Sequence, residues 1–192
     1  MSAADMRIRQ CLDACRNKNR TALVSFITAA DPAPQYTVPA LHSLVAGGVD
    51  ILELGIPFSD PEAEGPAIQA ANERALAQGI TLIQVLAMVQ QFREQDAHTP
   101  IVLMGYLNSV LAMDDFAERA AEAGVDGLIM VNLPPEEGDH LQRQLAAQNI
   151  DLIYLLAPTT TDDRAQQIAA KATGFIYYVS LKGITGASHL QT

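Results

Sequence analysis

The sequence predicts an α/β fold built on a parallel sheet, and three observations carry that expectation. Apolar runs of strand length alternate along the chain with longer segments of helical character, the pattern of a βα array. The approaches to the strands resemble one another: Gly47-Gly48-Val49-Asp50, Gly124-Val125-Asp126-Gly127 and Asn149-Ile150-Asp151 each close a helix with a permissive residue before an apolar run. The strands themselves are nearly continuous in apolar residues, which suits elements covered on both faces. Two arrangements stay open on these grounds, a doubly wound sheet and a barrel. No Gly-x-Gly-x-x-Gly follows the first strand, which disfavours a dinucleotide-binding sheet.

In order, a helix is expected over Asp5 to Lys18, then a strand from Ala22 to Thr28 whose following loop is closed by Pro32 and Pro34. A helix from Gln35 to Ala46 is stopped by Gly47-Gly48 and leads into a strand at Ile51 to Leu54. Gly65-Pro66 opens a helix running to Gln78, with proline in the first turn, where its missing N–H is harmless. Thr81 is placed to cap a helix ending at Glu94. The second half keeps the rhythm: strand Ile101 to Met104, helix Asp114 to Ala123, strand Gly127 to Val131, helix Pro135 to Gln148. Strand Asp151 to Leu156, helix Asp162 to Ala172 and strand Phe175 to Ser180 complete the array.

With 192 residues and 49% apolar content, the chain has material for one cored domain spanning 1–192. Its formal charge of −10, with 12 basic residues scattered along the sequence, argues against a nucleic-acid-binding surface. An anionic ligand would need local backbone amides. The N-terminus lacks the pattern of a signal peptide, and no apolar run approaches the roughly 20 residues that span a bilayer. A soluble, cytoplasmic protein without a membrane partner is expected. Cys11 and Cys15, one helical turn apart, read as buried thiols, because no neighbouring His or further Cys completes a ligand set. His42, His98, His140 and His189 stand apart in sequence and suggest neither a metal site nor a Ser-His pairing.

The stretch from Val49 to Gln69 is different. Glu53 interrupts an apolar strand, and an unpaired carboxylate is costly to bury, so it belongs either at a salt-bridged strand end or facing a cavity. Gly55, Pro57, Pro61, Gly65 and Pro66 then punctuate a loop that adds Asp60, Glu62 and Glu64 within five positions. Crowding like charges does not serve stability.

As Leu52 to Gln69 spell it, the string L-E-L-G-I-P-F-S-D-P-x-A-x-G-P-x-I-Q resembles the second strand and active loop of the tryptophan synthase alpha chain family. The likeness extends to Phe26 through Pro32, Met104 through Asn108, Leu133-Pro134 and Gly183 through Ala187, each directly after a strand, where a barrel enzyme places its chemistry. The resemblance implies a TIM (β/α)8-type barrel, of which about six βα units are visible. Such barrels take about 250 residues, so this chain is expected to end roughly 60 short, without the loops after strands seven and eight that help hold phosphate.

The resemblance also implies a reaction: retro-aldol cleavage of indole-3-glycerol phosphate to indole and glyceraldehyde 3-phosphate, without metal or organic cofactor. A pyridoxal-phosphate-dependent beta chain would receive the indole. The cleavage needs a proton for the indole ring carbon, a negative group near the ring nitrogen and a base for the glycerol hydroxyl. Glu53, desolvated inside the barrel, would carry the proton near neutrality. Glu64 stands where the family has aspartate, and its extra methylene is expected to displace the carboxylate, so that Glu64→Asp should raise turnover. Phe26, Met104, Ile129 and Leu155 resemble walls of the indole pocket, or else ordinary barrel filling. Tyr177 resembles the tyrosine that projects toward the acid/base glutamate, while Tyr178 should face the other way. Thr185 and Gly186 resemble a closing sixth loop, in which Thr185 would meet the loop-two carboxylate and Gly186 would offer an amide to phosphate.

Glu62, where the family is apolar, and Asn132, where it has aspartate, depart from the pattern at the same face. Two readings therefore stand: a lyase, or an alpha-like binding module or fragment that engages the beta chain without turnover. An unrelated barrel enzyme using a Schiff-base lysine is disfavoured, because Lys182 lies beyond the sixth strand.

Overall fold

The computed structural model describes residues 7–179. Six strands, β1 (Val24–Thr28), β2 (Ile51–Gly55), β3 (Ile101–Gly105), β4 (Gly127–Met130), β5 (Asp151–Leu156) and β6 (Ile176–Tyr178), form one sheet. All neighbouring pairs are parallel and the spatial order is β1-β2-β3-β4-β5-β6. A doubly wound sheet reverses direction at a switch point, whereas a barrel adds each strand beside the last. The sequential order therefore selects the TIM-barrel type between the two arrangements that the periodicity left open.

Eight helices are found among the described residues: α1 (Arg7–Asn17), α2 (Pro34–Ala46), α3 (Pro66–Ala77), α4 (Leu82–Arg93), α5 (Leu107–Leu111), α6 (Phe116–Ala123), α7 (Asp139–Ala147) and α8 (Asp162–Lys171). Helices α2 and α3 start on prolines, as expected of a residue with no N–H to waste in a first turn. Thr81 forms a full capping box with Gln84 at α4, and Thr161 accepts from Arg164 N at α8. None of the described helices is individually long and apolar enough to cross a membrane.

The period-two alternation of the strands sorts their side chains into two clusters. Leu52, Leu54, Ile101, Leu103, Leu128, Met130, Leu152 and Tyr154 pack outward against the helices. Ile51, Val102, Met104, Ile129 and Ile153 pack on the inner face, joined by the half-buried Phe26, Leu155, Phe175 and Tyr177. Ile8 of α1 enters this inner cluster from the end where the strands begin. A Cβ on Gly127 would lie 3.0 Å from Ile8 Cδ1, so the bare backbone there gives α1 its seat.

Several boundaries differ from the sequence reading. The segment after β3 makes the short helix α5 where a loop was expected. The α6 helix starts at Phe116, two residues beyond Asp114, with Phe116 N donating to Met113 O in a turn. The α7 helix starts at Asp139 and not at Pro135, because Glu137 N and Gly138 N bond to Pro134 O and Pro135 O in a separate turn. The first strand starts at Val24: Leu23 N is taken by the Asp50 carboxylate at 2.8 Å, outside the sheet ladder.

Candidate active site

Ile51 faces inward and Leu52 and Leu54 face outward, so Glu53 between the two leucines points into the inner face. In register it lies between Phe26 of β1 and Val102 of β3. Only 4% of its surface is accessible, and burial alone pushes its carboxyl up to about 7. The phenol of Tyr177 is raised by its own burial and then by the Glu53 charge, so the two groups sense one another across the inner face. A carboxyl in this state holds a proton at neutrality and can give it up there.

Directly after β2, Ile56 N donates to Met104 O at 2.8 Å, drawing the chain over the end of β3. Phe58 stacks on Tyr106 with ring centroids 4.7 Å apart, and Ala63 N donates to the Tyr106 phenol oxygen at 3.0 Å. Tyr106 thus braces the loop at two points. The loop then turns Glu64 inward, leaving it 6% exposed, with Oε2 accepting from Asn72 Nδ2 at 2.6 Å. Burial raises the Glu64 carboxyl and the Asn72 bond opposes that rise. Asp60 and Glu62 stay exposed and line a cleft of about 320 Å³ with Phe58, Gln69 and Glu73. The three loop carboxylates are therefore not equivalent: Glu64 alone is withdrawn from solvent.

The proposed pocket walls converge. Phe26, Met104, Ile129, Leu155 and Tyr177 all belong to the inner cluster, on the same face as Glu53. A Cβ on Gly55 would stand 2.7 Å from the Phe26 ring, so this glycine is what lets the ring lie across the end of β2. Tyr178 is 60% exposed and faces away from the lumen, as the alternation requires. Thr185 and Gly186 lie outside the described residues, as do Lys182 and His189. Asn132 accepts from Leu107 N at 2.8 Å, fastening the start of α5 to the turn after β4. That bond uses a side-chain carbonyl, which aspartate and asparagine share.

Two residues to which the sequence reading gave no role hold this site, Asn72 and Tyr106. Asn72 shares the buried side of α3 with Ala71 and Ala75, a face that the folded packing reveals and the sequence does not mark. The thiol pair is also less simple than expected. Cys15 is buried and Cys11 half-buried, and Asp50 lies within 4.8 Å of both. Both carboxylate oxygens of Asp50 are already held by Arg20, at 2.6 and 2.7 Å, which keeps its pKa down at about 2. A guanidinium in that place opposes a metal cation. His42 stacks on Phe92 with ring centroids 4.6 Å apart, and its Nε2 is buried without a hydrogen-bond partner among the described residues. A larger cleft of about 580 Å³, lined by Arg7, Asp126 and Asp151 among others, opens where the strands begin, and Glu53 is not among its lining residues.

A sequential parallel sheet with a buried carboxyl on its inner face and a carboxylate loop at the strands' C-terminal ends is the arrangement of a TIM-barrel-type enzyme. The family model for the tryptophan synthase alpha chain matches residues 12–192. The chain belongs to the tryptophan synthase alpha chain family, whose members are lyases of tryptophan biosynthesis. It is 56% identical over 186 residues to the tryptophan synthase alpha chain of Nitrosococcus oceani, covering 96% of this chain and 69% of that one. Identity to the Alkalilimnicola ehrlichii alpha chain is 54%, with 96% and 68% covered. A crystal structure of the Legionella pneumophila alpha chain superposes with a TM-score of 0.87 at 49% identity, over 91% of this chain and 66% of that one. A Mycobacterium tuberculosis tryptophan synthase structure gives 0.89 at 36% identity, over 95% and 71%. The chain thus spans about two thirds of the length of these relatives.

Proposed function

We propose that this chain cleaves indole-3-glycerol phosphate to indole and glyceraldehyde 3-phosphate. The observation that carries the reading is Glu53: a carboxyl on the inner face, raised to about 7 by burial, among Phe26, Met104, Ile129 and Leu155. These apolar side chains suit a flat aromatic ring and exclude water from the reacting carbon. Glu53 would deliver its proton to the ring carbon that bears the glycerol chain. Glu64 would face the ring nitrogen, where its negative charge offsets the positive charge that develops on protonation. As the carbon–carbon bond breaks, the glycerol hydroxyl next to it becomes the aldehyde, and its proton passes to the newly ionised Glu53. The carboxyl ends the cycle as it began.

Thr185 and Gly186 belong to the same proposal, as a carboxylate contact and a phosphate amide. So does a tryptophan synthase beta chain as the partner that takes the indole. Indole release measured on the unmodified chain and on Glu53→Gln tests the reading. Turnover should fall at least about a hundredfold in the variant, because the amide holds no transferable proton. Equal rates would remove Glu53 from the reaction.

A further inference from the structure

The reaction scheme leaves unexplained what holds Glu64 in place. The answer lies in α3, immediately after the loop. Asn72 is 3% exposed, and a buried side-chain amide needs partners. Its Nδ2 donates to Glu64 Oε2 at 2.6 Å, a short, charge-assisted distance. Gln69, one turn earlier on α3, donates from Nε2 to the backbone oxygen of Glu64 at 2.8 Å. The helix therefore grips this one residue at its main chain and at its carboxylate. It is itself anchored, since Arg74 forms a two-pronged ion pair with Asp31 in the loop after β1, at 2.6 and 2.9 Å. Among the described residues Glu64 Oε1 has no such partner.

We propose that Asn72 is a positioning residue for the reaction: it pins one oxygen of Glu64 so that the other is presented to the substrate's ring nitrogen. Glu64 and Asn72 then form a matched pair, in which the length of glutamate is what spans the gap to α3. This reverses the expectation that Glu64 is simply an aspartate misplaced by a methylene. The inference rests on the reading of Glu64 as the carboxylate that meets the ring.

The experiment moves one methylene across the pair. Glu64→Asp shortens the carboxylate arm, Asn72→Gln lengthens the amide arm, and the double variant restores the total length. Steady-state indole release gives kcat and KM for each. The chain contains no Trp, so the emission of added indole reports its binding to each variant without tryptophan background. Asn72→Ala should lower kcat about tenfold or more and should weaken indole binding, because the carboxylate no longer meets the ring nitrogen squarely. Glu64→Asp alone should fall in the same way, and the double variant should recover at least about threefold over it. Should Asn72→Ala fail to fold, Asn72→Ser keeps a small hydroxyl too short to reach Glu64 and should behave alike. Asn72 variants that keep kcat and indole affinity within twofold, or a double variant no better than Glu64→Asp, would overturn the proposal. Glu64→Gln separates the two ideas. Full activity there sinks the role of Glu64 and the inference with it, whereas an inactive Glu64→Gln beside a fully active Asn72→Ala sinks the inference alone.

Discussion

Glu53 shows how one side chain takes its chemistry from its surroundings. Among the described residues nothing donates to its carboxylate, so desolvation acts unopposed and its pKa climbs from 4.5 to about 7. Two outcomes follow. In its proposed role as proton donor, Glu53 must be protonated when substrate binds, so kcat/KM should fall above about pH 7 with a single-proton limb. A profile flat from pH 6 to 9 would exclude this carboxyl as the acid. Stability should respond to the same titration. The unfolded chain releases this proton at 4.5 and the folded chain only near 7, so the neutral form favours folding fully below pH 4.5, and that advantage drains away as pH rises to about 7. The loss amounts to about 3 kcal/mol. Glu53→Gln cannot titrate, so the stability difference between it and the parent chain should shift by that amount between pH 4.5 and 8 in urea unfolding. Glu53 could be picked out from sequence because a lone carboxylate in an apolar strand is conspicuous. Asn72 could not, because polar residues are common on helices and nothing local says which of them faces a loop.

At the scale of elements, the beginning of the sheet is fastened by one buried carboxylate. Asp126, just before β4, is held by Arg7 of α1 at 2.8 Å and by Arg93 of α4 at 2.7 Å, and it accepts from Ile101 N at 2.8 Å. Four elements meet there. Burial pushes the Asp126 carboxyl up while both guanidiniums pull it down, and burial lowers Arg93 to about 10. Removing the shared anion strands two nearly buried cations, so Asp126→Ala should cost about 3–5 kcal/mol, read from chemical denaturation. A loss under about 1 kcal/mol would mean that the arginines find water instead. Element type was legible here because Gly124-Val125-Asp126-Gly127 repeats the approach seen before β2. The boundaries of α5, α6 and α7 were not, since turns closed by single backbone bonds, such as Glu137 N to Pro134 O, leave little trace in composition.

For the whole molecule, a net charge of −10 repels the anionic phosphate substrate proposed above. Salt should relieve that repulsion: raising ionic strength from about 0.01 to 0.15 M shortens the screening length from about 30 to 8 Å, so KM should fall with kcat little changed. A KM that rises with salt would point to a local cationic anchor stronger than the global field. The barrel order of the strands followed from the family likeness and not from periodicity, which is blind to which strand lies beside which. The alternation along β2 has one more consequence. Substitutions at Ile51, Leu52 or Leu54 change packing by degrees, but the gain or loss of a single residue between Asp50 and Glu53 would turn the strand over. Glu53 would then point into the apolar layer beneath the helices, and a leucine would stand in the lumen. Point changes can explore this strand gradually, while an altered length takes the carboxyl out of the lumen and sets it among apolar side chains in the same event.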